Sequence, residues 1–443
     1  QLALLKYVAA QEHVHAKRIE PKVGNAIVRA SQETMNGKFD SLFDLDVFEA
    51  GAGTPLNMTM NEVITNRALE ILGERKGKYA RIHPNNHVNM MQSTNDVIPT
   101  ALRLTCLALS EKLEKELIQT IHVAEELSKK YAQRTKTGRT HMQTAVPVTF
   151  GQELYTYAQS LREGLTRIRE AKTSLYELQL GGTAVGTGIT TVPGYDIAVV
   201  KRLKQKTKLP FFPSHRKMFH TSHMSVFSHY SNALSELASE LLIWANDWIL
   251  LGSDPYGGIG EVRLPEVEPG SSIMPGKINP SILEALKMVC LQVQGNHETI
   301  RLSVESTQLE LNVMTPVMGS NLFESQQTLT NALSMFREKC LRKIKPTNQM
   351  TVLLEKGNAA ATALNPYLGY DVTAYMVKKA ISSGQPLTTI LTRGGLVLSE
   401  EVEQLMKPEH LTRPSAINIS LKQKIQSRPA YKRALALVQK FSR

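Results

Sequence analysis

The chain has 443 residues, 42% of them hydrophobic and 21% charged, with a formal net charge of +12. That length allows two to four domains, and the composition is that of an ordinary globular protein. No apolar run approaches the roughly 18–20 residues of a membrane span, so no membrane role is expected. Cys106, Cys290 and Cys340 form neither a metal-ligand spacing nor an even disulfide set, which points to a reducing, cytoplasmic setting. No secretory leader is read, and the opening at Gln1 is taken as a shortened start. A basic balance suits nucleic acid, a membrane surface or a small anion. Its densest stretch holds Lys422, Lys424, Arg428, Lys432, Arg433, Lys440 and Arg443, with no acid and no aromatic interleaving. A solvated terminal helix is therefore expected, and no nucleic-acid partner.

In chain order, the first long periodic run passes through Leu102, Cys106, Leu109, Leu113, Leu117, Ala124 and Leu127. A second passes through Leu154, Tyr157, Leu161, Leu165, Ile168, Ala171, Leu175 and Leu178. A third passes through Phe227, Tyr230, Leu234, Leu237, Leu241, Trp244, Trp248 and Leu251, and two more cover 281–302 and 320–342. Steps of three and four residues mark one buried face of an α-helix. Several runs exceed the mean helix of roughly 11–12 residues, so a bundle of long helices is predicted. Leu104, Leu107, Ile118, Ile121 and Val123 give the first of them further apolar faces, which predicts assembly with other copies. Strand signals are sparse. The glycine-rich segment 181–188 follows a helix, so it is not a dinucleotide fingerprint. Boundaries near 92 and at Pro346-Thr-Asn predict an N-terminal helical domain (1–92), a central helix bundle (93–345) and a small C-terminal helical domain (346–443).

Four polar loops interrupt the helical pattern: Gly51-Ala-Gly-Thr-Pro-Leu-Asn57, Gln92-Ser-Thr-Asn-Asp96, Thr137-Gly-Arg-Thr-His-Met-Gln143, and Gly270-Ser-Ser-Ile-Met-Pro-Gly-Lys-Ile-Asn-Pro280. The last is not a phosphate loop, because five residues separate Gly270 from Gly276 and Ile278 follows the lysine. Ser93 to Asp96 could simply cap a helix. Four loops rich in hydroxyls, amides and glycine suit another task, α,β-elimination across a dicarboxylate. A proton on carbon beside a carboxylate is very weakly acidic, so the charge that develops needs preorganised donors. Thr94, Thr140, His141, Lys277 and Asn279 are the candidates, with amides of a helix N-terminus near 93–96. A serine base needs a lowered pKa, which a positive, amide-rich loop can supply.

These loops together resemble the signatures of the aspartase/fumarase superfamily, whose members eliminate a small group from a dicarboxylic acid to give fumarate or a fumarate-like product. The resemblance implies Ser271 as the catalytic base, with Lys277 and Asn279 on one substrate carboxylate and Thr140 and His141 on the other. Thr54, Ser93, Thr94 and Asn95 would also bind substrate, Glu284 matches the acid that partners the histidine, and Asn312 lies in a further shared stretch. The implied fold is three-domain and all-α. Its central bundles pack into a twenty-helix homotetramer, and each active site draws loops from three chains. Gly51-Ala-Gly-Thr54, Thr94 and Gln308-Leu-Glu-Leu-Asn-Val-Met314 resemble the members that deaminate L-aspartate to fumarate. His83-Pro-Asn-Asn86, Gly182–Gly186, Glu268-Pro-Gly270 and Glu284–Cys290 lean toward the members that interconvert fumarate and L-malate. The pocket-lining motifs favour aspartate. Pro55 and Thr307 depart from the family pattern, which more often has a small polar residue and a glycine there.

His83 and His87 sit four apart, but Pro84 lies between them and the acid of a zinc-binding His-Glu-x-x-His is missing. A loop hydrogen bond or a peripheral anion contact is expected there, with neither metal nor cofactor. A non-catalytic helical scaffold, as in crystallin-like members of the superfamily, is the competing reading of the whole chain.

Overall fold

The computed structural model describes residues 1–441, so Arg443 of the basic stretch lies outside the described residues. The all-α expectation holds. In chain order the helices are α1 (Leu2–His15), α2 (Pro21–Met35), α3 (Thr54–Ile71), α4 (Thr94–Lys130), α5 (Phe150–Thr173), α6 (Tyr195–Thr207), α7 (Lys217–Ser222), α8 (Ser225–Leu251), α9 (Ser281–Glu305) and α10 (Thr315–Lys339). A series of shorter helices follows, from α11 (Gln349–Lys356) to α18 (Pro429–Phe441). The long periodic runs fall on α4, α5, α8, α9 and α10, but two end sooner than expected: α5 stops at Thr173, so Leu175 lies in a 3-10 turn and Leu178 in a short strand, and α10 stops at Lys339, before a 3-10 turn at Leu341–Lys343. Among the described residues the sheets are two-stranded only: β1 (Thr135–Thr140) with β2 (Gln143–Thr149), β3 (Glu177–Leu178) with β4 (Phe212–Pro213), and β5 (Val262–Arg263) with β6 (Lys345–Pro346). No helix among the described residues is long and apolar enough to cross a membrane.

The chain forms two compact units, each assembled from separated segments. The first comprises 1–118, 163–241 and 287–333, and the second 119–162, 242–286 and 334–443. In the first, α1 is buried almost all round and packs on α2, α3 and α6. In the second, Trp244 stacks on Tyr157 at 4.8 Å and meets Trp248 and Phe336 edge-on at 5.2 and 5.0 Å. Such aromatic pairs add about 0.5–1.5 kcal/mol each beyond their burial. A further cluster, including Leu364, Leu368, Val372, Leu391, Val397 and Ile425, holds the C-terminal helices together.

The additional apolar faces of α4 have a different explanation from the expected one. Leu104, Leu107, Ile121 and Val123 are buried within the chain itself. An exposed apolar row lies on α9, where Met288, Leu291 and Leu302 are about half or more exposed beside Gly295. All three cysteines are buried free thiols, pushed up to about 12 by burial.

Candidate active site

The first two motifs lie in the first unit. Gly51, Ala52 and Gly53 all have positive φ, 87°, 57° and 85°, and this left-handed run delivers the chain into the first turn of α3. Thr315 Oγ1 donates to Ala52 O at 3.1 Å and holds the run in place. Thr54 is exposed at the helix start, and Pro55 sits in the first turn, where its missing N–H leaves no bond unmade. Three residues on, Asn57 is buried and donates Nδ2 to Thr94 Oγ1 at 3.0 Å.

Ser93 caps α4. Its Oγ accepts the Asn95 amide at 3.2 Å, and Asp96 Oδ1 accepts the Ser93 amide at 3.0 Å, a reciprocal capping box. Asp96 does more than cap. It is fully buried, and its Oδ2 accepts the amides of Gly181 (3.1 Å) and Thr183 (2.9 Å), while Asn95 Nδ2 donates to Ala184 O at 2.8 Å. The glycine-rich segment 181–184 is thereby tied to the second motif. Burial pushes the Asp96 carboxyl up to about 6, against the pull of its three backbone donors and of Lys6.

The other two motifs lie in the second unit. The third is not an open loop but a β-hairpin: Thr140 pairs with Gln143, and His141-Met142 forms its two-residue turn. Both turn residues have positive φ, 53° and 57°, as a type I′ turn requires. Glycine and asparagine are usual there, and such conformations in other residues cost roughly 1–3 kcal/mol each. A buried charge network anchors the hairpin. Arg139 grips the fully buried Glu261 with two hydrogen bonds, at 3.0 and 2.8 Å, and Lys136 reaches Glu153 at 2.7 Å and Glu261 at 3.1 Å. Thr140 and His141 are exposed at the tip.

The fourth motif is a loop closed on itself. Gly270 N donates to Lys277 O at 3.1 Å, and Asn279 Nδ2 donates to Gly270 O at 2.9 Å. A Cβ on Gly270 would stand 2.1 Å from Lys277 O, so only glycine fits this neck. Inside it, Ser271 Oγ accepts the amides of Ile273 (3.1 Å) and Met274 (3.0 Å). Lys277 is exposed, as are Ile273, Met274 and Ile278. Glu284 is exposed on the first turn of α9, in the row that continues through Met288, Leu291 and Leu302. Within the chain Ser271, His141 and Glu284 make no hydrogen bonds to one another.

Elsewhere, His83 Nδ1 accepts the amides of Asn85 and Asn86, and His87 Nδ1 accepts the His83 amide at 2.9 Å. Asn312 is buried, with Nδ2 on Ser303 O and on Thr307 Oγ1, so Thr307 has a bonding role at the position where it departs from the family pattern. Sequence reasoning did not find Lys6, Asn57 as a hydrogen-bond partner of Thr94, Glu261, or the part played by Gly181 and Thr183. Backbone strain accompanies three of the four motifs: Ala52, Met91, His141, Met142 and Thr183 carry positive φ in or beside them, while in the serine loop only Gly276 does.

The chain as a whole is similar to known lyases. A family model described as "Lyase" matches residues 2–295, and one described as "Fumarase C C-terminus" matches 361–413. Aspartate ammonia-lyase of Bacillus subtilis is 39% identical over 96% of this chain and 89% of its own. A class II fumarate hydratase of Rickettsia bellii is 40% identical over 94% of this chain and 90% of its own. The solved structure of a fumarate lyase:delta crystallin from Brucella melitensis superposes with a TM-score of 0.90 at 38% identity, covering 93% of this chain and 90% of that one.

Proposed function

The chain belongs to the aspartase/fumarase superfamily of lyases, and from that premise we propose that it eliminates ammonia from L-aspartate to give fumarate. The observation that carries this reading is Ser271 Oγ accepting two backbone amides in a loop that only glycine can close. Donors aimed at the oxygen favour its deprotonated form. The alkoxide keeps a further lone pair for the substrate. It takes a proton from the carbon beside the β-carboxylate, and the C–H electron pair moves into that carboxylate as the aci-carboxylate. The pair then returns to form the carbon–carbon double bond as the Cα–N bond breaks, and ammonia leaves with the electrons of that bond.

The charge of the aci-carboxylate is met by donors. Asn57 occupies a lone pair of Thr94 Oγ1, which leaves the Thr94 proton to be given outward. Thr54, Asn95, Thr140 and His141 supply further polar contacts, and Lys277 brings a positive charge to the opposite carboxylate. Ser93 and Asn279 serve the site by shaping it, one as helix cap and one as loop closure.

The same superfamily plan supports a homotetramer in which three copies build each site and Glu284 pairs with the histidine of another copy. The half-exposed row on α9 that begins at Glu284, and exposed Ile273, Met274 and Ile278 on the serine loop, are apolar surface that neighbours would cover. The three-domain division at 92 and 346 and a cytoplasmic location belong to this reading as well.

The motifs around Thr54, Thr94 and 308–314 favour aspartate. His83-Pro-Asn-Asn86, together with the likeness to class II fumarate hydratases, supports a second reading, reversible dehydration of L-malate by the same base. Following fumarate by its ultraviolet absorbance with each substrate separates the two. Turnover of L-aspartate is expected, and turnover of malate alone would replace the first reading by the second.

A further inference from the structure

A lysine lies where the proposed mechanism has no use for one. Lys6 is on α1, which packs on α2, α3 and α6, and it is fully buried. It forms no ion pair among the described residues. Its Nζ donates instead to Asn89 Oδ1 at 2.8 Å and to Gln92 Oε1 at 3.1 Å. Burying an ammonium without a carboxylate partner is expensive. Desolvation lowers Lys6 to about 7, opposed by the charge of the nearby Asp96. A methionine, one atom shorter, would carry no charge to bury there.

The contacts say what the ammonium does. As an ammonium, Lys6 can only donate, so the atom of Asn89 that faces it is the oxygen. Asn89 Nδ2 is thereby turned to Gln92 O, at 3.2 Å. The same Asn89 oxygen faces the side chain of Asn57 at 3.4 Å, which must therefore present its NH2 group. That NH2 also meets Thr94 Oγ1 at 3.0 Å, so Thr94 accepts and its proton points away. The orientation of the Asn57 amide is therefore set from its nitrogen side, by Asn89 Oδ1 and Thr94 Oγ1.

We propose that Lys6 is a positioning residue that sets the direction of the Lys6–Asn89–Asn57–Thr94 chain and so keeps the Thr94 hydroxyl as a donor to the substrate carboxylate. The inference rests on the reading of Thr94 as a substrate contact. Without Lys6 the two asparagine amides are free to turn over. Asn57 then offers its oxygen, the Thr94 proton is drawn inward, and the substrate meets a lone pair.

The test is a kinetic cycle on the intact protein. Lys6→Met and Asn57→Asp, the latter acceptor-only when ionised, should each lower kcat/KM by roughly tenfold to a hundredfold, as for loss of one hydrogen bond to a charged group. Thr94→Val should do the same. Lys6→Met added to Thr94→Val should lower it no further, because a chain that acts through Thr94 has nothing left to act on. A Lys6→Met enzyme within twofold of wild type, or effects that multiply with Thr94→Val, would overturn the proposal. A residue that only supports the fold would lower thermal stability and multiply with Thr94→Val. If Lys6→Met does not fold, Asn57→Asp alone decides in the same cycle. Hydrogen exchange of peptides spanning 86–96 reads the brace with no substrate present. Faster exchange there in Lys6→Met, and not at 119–135, is expected; unchanged exchange would remove the brace. If the wild-type chain turns over neither aspartate nor malate, the functional reading fails, while exchange still decides whether Lys6 holds the segment.

Discussion

The segment 89–96 and the loop 270–280 carry the two halves of the proposed chemistry, donor and base, and they are built in opposite ways. The first is braced from behind by side chains: Lys6, Asn57, Asn89 and Gln92 are linked by hydrogen bonds in a largely buried polar layer, with the buried Asp96 close enough to act on Lys6 through its charge. The second is held by its own backbone and one asparagine, with apolar side chains facing out. A group whose direction decides its role, such as the Thr94 hydroxyl, needs a rigid second layer. A serine that must be deprotonated needs amides close to its oxygen, and a short glycine-necked loop provides them locally. The cover of that loop is left to other copies in the proposed assembly.

The contrast predicts that the serine loop carries activity with little stability. Ser271→Ala should lower kcat by at least about a thousandfold, with the melting temperature and oligomer unchanged. Turnover at the wild-type rate would remove Ser271 as base, and a large fall in melting temperature would break the contrast.

The hairpin is the braced case in the second unit, so damage there should show in stability. Glu261→Gln leaves Arg139 and Lys136 without the buried carboxylate they share, and breaking a buried pair costs about 3–5 kcal/mol. Denaturant unfolding should show a loss of that size, and loss of activity should follow as the strained His141-Met142 turn relaxes. An unchanged midpoint would mean that the hairpin, like the serine loop, holds itself.

The sequence displays the scaffold far better than the braces. The five long helices are legible because their buried residues repeat at three and four steps over two dozen positions. The hairpin is not, since Thr-Lys-Thr-Gly-Arg-Thr lacks an apolar alternation and its turn residues are neither glycine nor asparagine. Lys6 in Leu-Leu-Lys-Tyr-Val has no local sign of burial, because a lone lysine in a helix normally reaches solvent. Asp96 is visible as a cap, but its hold on Gly181 and Thr183 spans more than eighty residues, and no spacing rule reports that.

A carboxylate gripped by arginine recurs outside the motifs, which isolates the device from catalysis. Arg428 holds Glu401 with two hydrogen bonds, at 2.7 and 2.6 Å, and Lys424 adds a third contact at 3.2 Å. The Arg428 hydrogen bonds come first among the causes that lower Glu401 from 4.5 to about 2. A depressed carboxyl stabilises the fold above its unfolded pKa, and that contribution is lost as pH falls from about 4.5 through 2. The stability difference between wild type and Glu401→Gln should therefore shrink across that acid window and stay level above pH 5. A difference that persists at pH 2 would assign the loss to packing.

Thr307 allows the smallest and most specific test of bracing by side chains. The family pattern has glycine here, yet Thr307 Oγ1 donates to Ser222 O at 2.7 Å and receives Asn312 Nδ2 at 2.7 Å. Thr307→Gly removes both bonds and frees the backbone just past the end of α9. Each buried hydrogen bond is worth about 1 kcal/mol, so a loss of about 1–2 kcal/mol is expected. Asn312 keeps its bonds to Ser303 O and Val304 O, so it should stay in place and kcat should be unchanged. A fall in kcat without a fall in stability would instead make Thr307 part of the site, and the departure from glycine would then concern substrate rather than support.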